Sequence, residues 1–405
     1  MWLALPAGAA VADEAAPMPG MAGMLGAYAM ARESSGTSWQ PDSTPVQGAQ
    51  QMSGPWMTMW GGTVDLNQDA QGGPRGDTKT FSSSVLMFMA RDALTDGAFG
   101  LRLMVSGDPL MGRSGYPELF QTGETADGVH PLVDRQHPHN LLMEAAVSYA
   151  RDLSAASSAY LYAGLAGEPA LGPPAFMHRF SGADDPLAPL GHHWLDSTHV
   201  TYGVVTAGLS WGPGKLELSS FNGREPDENR YSVQLHAPDS YAVRASLNPA
   251  ADWALQVSSG RLASPEQLQP LVSVRRTTAS ASYNRMSPRI EWQTTAAWGR
   301  NEPDIGRSSE AWLLESALVV ERRHTVFLRL ERVGKDELFA PGQPLFGQLF
   351  TVQSATLGGI EDFWRVAQAR IGVGAAVSGY RTPATLNPYY GAGPTSYLVF
   401  LRVRL

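Results

Sequence analysis

The chain ends P-T-S-Y-L-V-F-L-R-V-R-L, Pro394 to Leu405. Tyr397, Val399, Leu401, Val403 and Leu405 form an unbroken apolar row, and Ser396, Arg402 and Arg404 stand in the alternate positions. A period of two puts successive side chains on opposite faces of a strand, so this segment reads as β-structure with one apolar face. The pattern recurs upstream. In 366–378, Ala367, Ala369, Ile371, Val373, Ala375 and Val377 share one face, and Gln368, Arg370, Gly372, Gly374 and Ser378 the other. Tyr241, Val243, Ala245 and Leu247 alternate with Arg244, Ser246 and Asn248. Ile290, Trp292, Thr294, Ala296 and Trp298 alternate with Arg289, Glu291, Gln293 and Thr295.

Sixteen such segments begin near Trp56, Lys79, Gly97, Asn140, Ser157, His199, Gly214, Asp239, Asp252, Val272, Pro288, Ser308, His324, Gly347, Val366 and Pro394. After even-numbered segments the connections are tight, as in L-T-D-G, S-A-A-S, W-G-P-G, R-R-H and W-R. After odd-numbered segments they are long, including 107–139, 168–198, 222–238, 335–346 and 381–393. Short turns on one rim and long loops on the other are the layout of a transmembrane antiparallel β-barrel, with short periplasmic turns and long extracellular loops. A bilayer core leaves no water for a free sheet edge, so a spanning sheet must close. Tryptophan and tyrosine near segment ends (Trp56, Trp60, Trp292, Trp298, Trp364, Tyr149, Tyr397) suit interfacial girdles. A soluble sandwich also alternates faces, but it accounts for neither the even count nor the one-sided loop lengths.

The totals agree. A net charge of −8 disfavours nucleic acid as a partner, since its phosphates reward a basic face. The absence of cysteine fits an envelope protein whose fold is large enough to do without disulfides. Ala10-Val11-Ala12 before Asp13 has the small-x-small form of a signal-peptidase site, so residues 1–12 are expected to be the end of a signal peptide that starts further upstream. Residues 13–55 then form a methionine-rich, flexible segment lying in the periplasm or threading the lumen, and 56–405 the barrel.

With the apolar rows facing lipid, the alternate rows face the lumen. They place Arg102, Lys215, Glu217, Arg244, Arg289, Glu291, Arg329, Glu331, Arg370 and Arg402 as pore-lining residues, together with Arg404. Charges on the lipid face would each cost roughly 2–4 kcal/mol at mid-depth, so their confinement to one phase supports the assignment. Basic groups outnumber acidic ones, which points to small polar or anionic solutes. An open or gated pore and a barrel plugged by a loop or by the N-terminal tail are both compatible with this pattern.

Most histidines fall in the long loops. His130, His137 and His139 lie in 107–139, and His178, His192 and His193 in 168–198, with His199 just beyond. Asp134, Asp184, Asp185 and Asp196 accompany them, and imidazole with carboxylate suits copper or zinc. The segment D-R-Q-H-P-H-N, Asp134 to Asn140, is the densest part, although H-x-H across a proline is a weak ligand signal. In the N-terminal segment Met18, Met21 and Met24 recur every third residue, and thioethers select Cu(I). No metal is certain, because the same residues serve as loop polar groups and adaptable apolar filler. An esterase reading on Ser197 and His199 lacks G-x-S-x-G, and no catalytic residue is assigned.

The last segment resembles the C-terminal signature read by barrel-assembly machinery in bacterial outer-membrane proteins, with Leu405 where phenylalanine is usual. The stretches G-T-S-W-Q-P-D-S-T-P, Q-G-G-P-R-G-D-T-K-T-F, F-Q-T-G-E-T-A-D-G, D-R-Q-H-P-H-N and H-H-W-L-D-S-T-H together resemble a porin-like family of Gram-negative outer-membrane β-barrel proteins, from about Tyr28 onward. The resemblance implies location in the bacterial outer membrane among its lipids and supplies no catalytic residues. A homo-trimer follows only by analogy with other sixteen-strand porins. The leading expectation is a porin-like channel. A copper- or zinc-handling outer-membrane protein and a non-conducting structural or adhesive barrel are the alternatives.

Overall fold

The computed structural model describes residues 22–366 and 368–405. The expected signal peptide, Met18 and Met21 lie outside the described residues. The strands in chain order are β1 (Ala49–Ser53), β2 (Trp56–Ala70), β3 (Thr78–Leu94), β4 (Gly97–Val105), β5 (Tyr116–Thr125), β6 (Pro131–Gln136), β7 (Leu142–Ser154), β8 (Ser157–Gly167), β9 (Thr201–Trp211), β10 (Gly214–Phe221), β11 (Ser240–Leu247), β12 (Trp253–Leu262), β13 (Val274–Met286), β14 (Ile290–Pro303), β15 (Ser309–Val320), β16 (His324–Lys335), β17 (Phe350–Val366), β18 (Ala369–Arg381) and β19 (Thr395–Arg404). Sixteen of them, β2–β4 and β7–β19, form one antiparallel sheet that closes where β19 pairs with β2, from Tyr397↔Ala70 to Arg404↔Thr63.

Closure satisfies both edges of the sheet, as a spanning structure requires. The segment starts read from the sequence fall within a few residues of the strands. β17 runs on to Val366, past the turn expected at Trp364 and Arg365. The hairpin β5–β6 inside the loop 106–141, and β1, carry too little alternation to be read in advance. Below the end of β19, β1 takes over its place on β2, from Ala49↔Trp60 to Ser53↔Trp56. It ties the N-terminal segment to the barrel wall.

The two faces separate as the alternation demands. On β19, Tyr397, Val399 and Leu401 are 60%, 53% and 43% exposed, while Leu398, Phe400, Arg402 and Arg404 are buried. Outward aromatics gather at the ends of strands. Trp253, Tyr283 and Trp292 form a row across β12, β13 and β14 beside the short turns, with ring centroids 4.9 and 5.7 Å apart. Trp298 and Trp312 pair at 6.2 Å near the opposite rim. The band between them is apolar, and it meets lipid.

Candidate functional site

Inward-facing residues of a wide barrel would normally meet water. Here two chain segments cover them. The loop 168–200 is buried over almost its whole length and crosses the lumen to the opposite wall. Its Arg179 donates to Glu315 on β15 at 2.9 Å, Asp185 meets Arg329 on β16 at 3.0 Å, and Asp184 binds Arg402 and Arg404 on β19. Further along, the Gly191 N–H donates to Glu331 at 2.8 Å and the Trp194 indole to Ser309 at 2.9 Å.

The N-terminal segment 22–48 fills the other side. Glu33 pairs with Arg102 on β4 at 2.9 Å, and Thr37 accepts hydrogen bonds from Lys215 on β10 and Arg244 on β11. Asn248 donates to Asp42 at 2.8 Å, Asn284 to the Ser43 carbonyl at 2.8 Å, and Gln293 to Thr44 at 3.1 Å. The segment was expected in the periplasm or in the lumen. Its contacts are to inward residues of β4, β10, β11, β13 and β14 and to Asn248 just after β11, which holds residues 22–48 inside the barrel.

The residues expected to line a pore are therefore covered. Arg102, Lys215, Glu217, Arg244, Arg329, Glu331 and Arg402 are buried, and Glu217 bridges Arg244 at 2.8 Å and Lys215 at 3.3 Å. Arg370 lies 3.7 Å from Asp362, and Glu291 lies 3.4 Å from Arg322. Arg289 departs from the expectation. It sits in the exposed turn before β14, where the lumen-facing alternation has not yet begun.

D-R-Q-H-P-H-N is a brace. Asp134 accepts the Phe120 N–H at 2.8 Å and meets Arg75 at 3.3 Å, and Arg135 reaches Asp77 at 2.6 Å. His137 lies 3.3 Å from Glu124, His139 2.7 Å from Asp108, and Asn140 donates to Tyr202 at 2.7 Å. The two histidines also join a row of imidazoles. His137 stacks on His193 at 5.8 Å, His193 neighbours His192 at 5.5 Å, His192 neighbours His199 at 5.1 Å, and His199 neighbours His139 at 5.1 Å. Gly123, at φ +114°, lets the β5–β6 hairpin approach this row, since a Cβ there would stand 2.2 Å from the His193 ring.

Several Nδ1 atoms in the row are held. Asp196 accepts from His192 through its carboxylate and from His199 through its carbonyl, both at 2.8 Å. The Nε2 atoms of His139, His193 and His199 are buried without a partner. Burial holds His137, His193 and His199 well below the usual imidazole range, and neighbouring imidazoles push the same way. Burial would raise Asp196, but Arg179 and His192 hold it below the usual carboxylate range. Among the described residues, no three His, Asp or Glu side chains converge as a ligand set.

Of the other candidates, His130 is exposed at the hairpin tip beside Asp127, whereas His178, next to Met177, borders both a methionine-lined cavity and a small pocket that it shares with His199. Met24 is buried near the short-turn rim with Met30, Met57, Met59 and Met89, outside the row formed by His137, His193, His192, His199 and His139. Asp184 and Asp185 serve the wall arginines rather than the imidazoles. Ser197 donates to Glu225 at 3.1 Å and accepts from Arg276 at 2.9 Å. It is buried with His199 inside the barrel, so neither faces lipid as an outer-rim esterase pair would. Sequence reading missed Arg179, Glu315 and Glu33 because their partners are remote. It also passed over M-F-M (87–89), whose i, i+2 spacing puts both methionines on one strand face.

The sequence matches no family model and no curated protein. Solved structures resemble it in fold. The anion-selective porin from Comamonas acidovorans superposes with a TM-score of 0.53 at 13% identity, covering 86% of this chain and 100% of that one. The fold is that of the outer-membrane porins. OprB from Pseudomonas putida gives 0.54 at 10% identity over 86% and 93% of the two chains. OmpF from Salmonella typhi gives 0.54 at 7% over 88% and 100%. A closed porin-fold barrel with an apolar outer band belongs to a bacterial outer membrane.

Proposed function

We propose that the protein is a gated porin-like channel for small polar solutes with a preference for anions, closed in this arrangement by segment 22–48 and loop 168–200. One observation carries the reading. Wall cations draw much of their counter-charge from the two filling segments: Arg102 from Glu33, Arg329 from Asp185, and Arg402 and Arg404 from Asp184. Withdrawal of those carboxylates leaves a wall enriched in uncompensated positive charge, and such a wall favours anions. The porin named anion-selective shares the fold and is consistent with this preference.

The test compares the full chain with a variant lacking residues 22–47 in planar bilayers under a salt gradient. Expected is a larger and steadier step conductance for the deletion, with a reversal potential on the anion side. A correctly folded deletion variant that passes no current would overturn the channel reading, and a cation-side potential would overturn the solute class.

A metal-handling role is the second reading. It is supported by the imidazole row, in which the Asp108 carboxylate and the Asp196 carbonyl hold the Nδ1 atoms of His139 and His199, whose Nε2 atoms have no partner, as outer hydrogen-bond partners do for metal-binding histidines. Binding of Zn²⁺ or Cu²⁺ that vanishes in His192→Gln with His199→Gln tests it, and unchanged binding rejects it.

A further inference from the structure

A cavity of about 130 Å³ lies where the wall, the N-terminal segment and the inward loop meet. Five thioethers and one imidazole line it: Met59 from β2, Met87 and Met89 from β3, Met30 from the N-terminal segment, and Met177 and His178 from the loop. Met59 and Met89 are direct register partners, and Met87 faces Gly61 two pairs along, on the same face. Direct partners on one sheet face have Cβ atoms about 4.5–5.5 Å apart, so the two wall thioethers start close together. The His178 Nε2 atom is buried with no hydrogen-bond partner.

We propose that this cavity binds a soft monovalent cation, Cu(I) or Ag(I), through thioether sulfurs with His178 as the nitrogen donor. The chemistry selects that class. Thioethers are neutral, soft ligands that hold Cu(I), whereas Ca²⁺ and Mg²⁺ require oxygen ligands. Methionine as mere filler would adapt to close the space, and here the space persists between side chains delivered by three separate parts of the chain. Because its donors come from the wall, the N-terminal segment and the loop together, a bound ion clasps both filling segments to the barrel. The site needs the folded barrel with both segments docked, and its occupancy is measured without reference to conduction.

The test titrates the refolded full chain in detergent with Ag(I), followed by calorimetry and by methyl NMR of [¹³C-methyl]methionine. Wild type is expected to bind one ion, with shifted Met59, Met87 and Met89 methyl signals. Met59→Leu with Met89→Leu, which conserves volume, is expected to weaken binding at least tenfold, and Met18→Leu with Met21→Leu to leave it unchanged. If the wall variant loses the heat-modifiable gel mobility of a folded barrel, Met177→Leu replaces it, with the same tenfold weakening expected. Wild-type affinity in the folded wall or loop variant overturns the proposal. So does loss of binding in the Met18, Met21 variant.

Discussion

The barrel wall and the chain that fills it are held by different physics. Each wall strand is specified locally, because alternation fixes which face meets lipid and a one-residue slip would bury every charge in hydrocarbon. The filling segments have no such rule. They are held by ion pairs and hydrogen bonds between residues far apart in sequence, such as Arg402 with Asp184, 218 positions away. The wall is therefore rigid and unconditional, while the filling depends on a set of paired charges that can be broken one at a time.

Breaking one such pair is expected to have the largest effect. Arg179 bridges Glu315 on the wall to Asp196 on the loop, and all three are buried. Arg179→Leu leaves buried Asp196 without a cation and Glu315 with Arg329 alone, and the loss of loop docking should cost about 3–5 kcal/mol. Limited proteolysis within 168–200 should become rapid while heat-modifiable barrel mobility is retained. Resistance equal to wild type would mean that the loop is held by something other than its charges. The wall gives the matching test on its other face. Leu401→Arg puts a charge in the apolar band and should destabilise the barrel by about 2–4 kcal/mol in denaturant titrations in lipid. A negligible effect would move the lipid boundary away from β19.

A smaller effect concerns pH. Burial holds His192 and His199 below the usual range, so the docked loop binds fewer protons than an undocked one. Their contribution is fully present above the ordinary imidazole pKa of about 6.5 and is lost as pH falls through the folded values. Glu124 and Glu168, both raised to about 7 by burial, act in the opposite sense and favour docking at low pH. His192→Gln with His199→Gln should therefore stay closed to a lower pH than wild type in conductance titrations. An unshifted response would remove the imidazole row from gating. The smallest effect belongs to the rim, where Arg300 meets Glu302 at 3.0 Å and Glu310 at 3.8 Å in the open. Arg300→Ala should cost less than about 1 kcal/mol in the same denaturant titrations, and a loss as large as that of Arg179→Leu would undo the contrast between buried and exposed pairs.

The same contrast explains what could be read from the sequence. Strand positions and the lipid-facing rows were legible because alternation is a local signal, and the loop lengths gave the orientation. Glu33 and Asp184 carry no mark of their partners, because the pairing is decided only when the barrel closes. The imidazole row was half legible. The histidines were visible as a loop population, but the separation of His130 from the rest depends on how two loops fold inward. Arg289 was misplaced by one residue of turn, the scale at which alternation stops informing.

The central claim is that the channel conducts only when the N-terminal segment leaves the lumen. The chain has no cysteine, and the Ala27 N–H lies 3.0 Å from the Ser158 hydroxyl of β8. The direct measurement is single-channel conductance of Ala27→Cys with Ser158→Cys, oxidised and then reduced in the same bilayer, with the variant lacking 22–47 as the open reference. The account predicts silence from the oxidised form and step openings toward the reference level after reduction. Conductance of the oxidised, cross-linked form equal to that of the reference would contradict it.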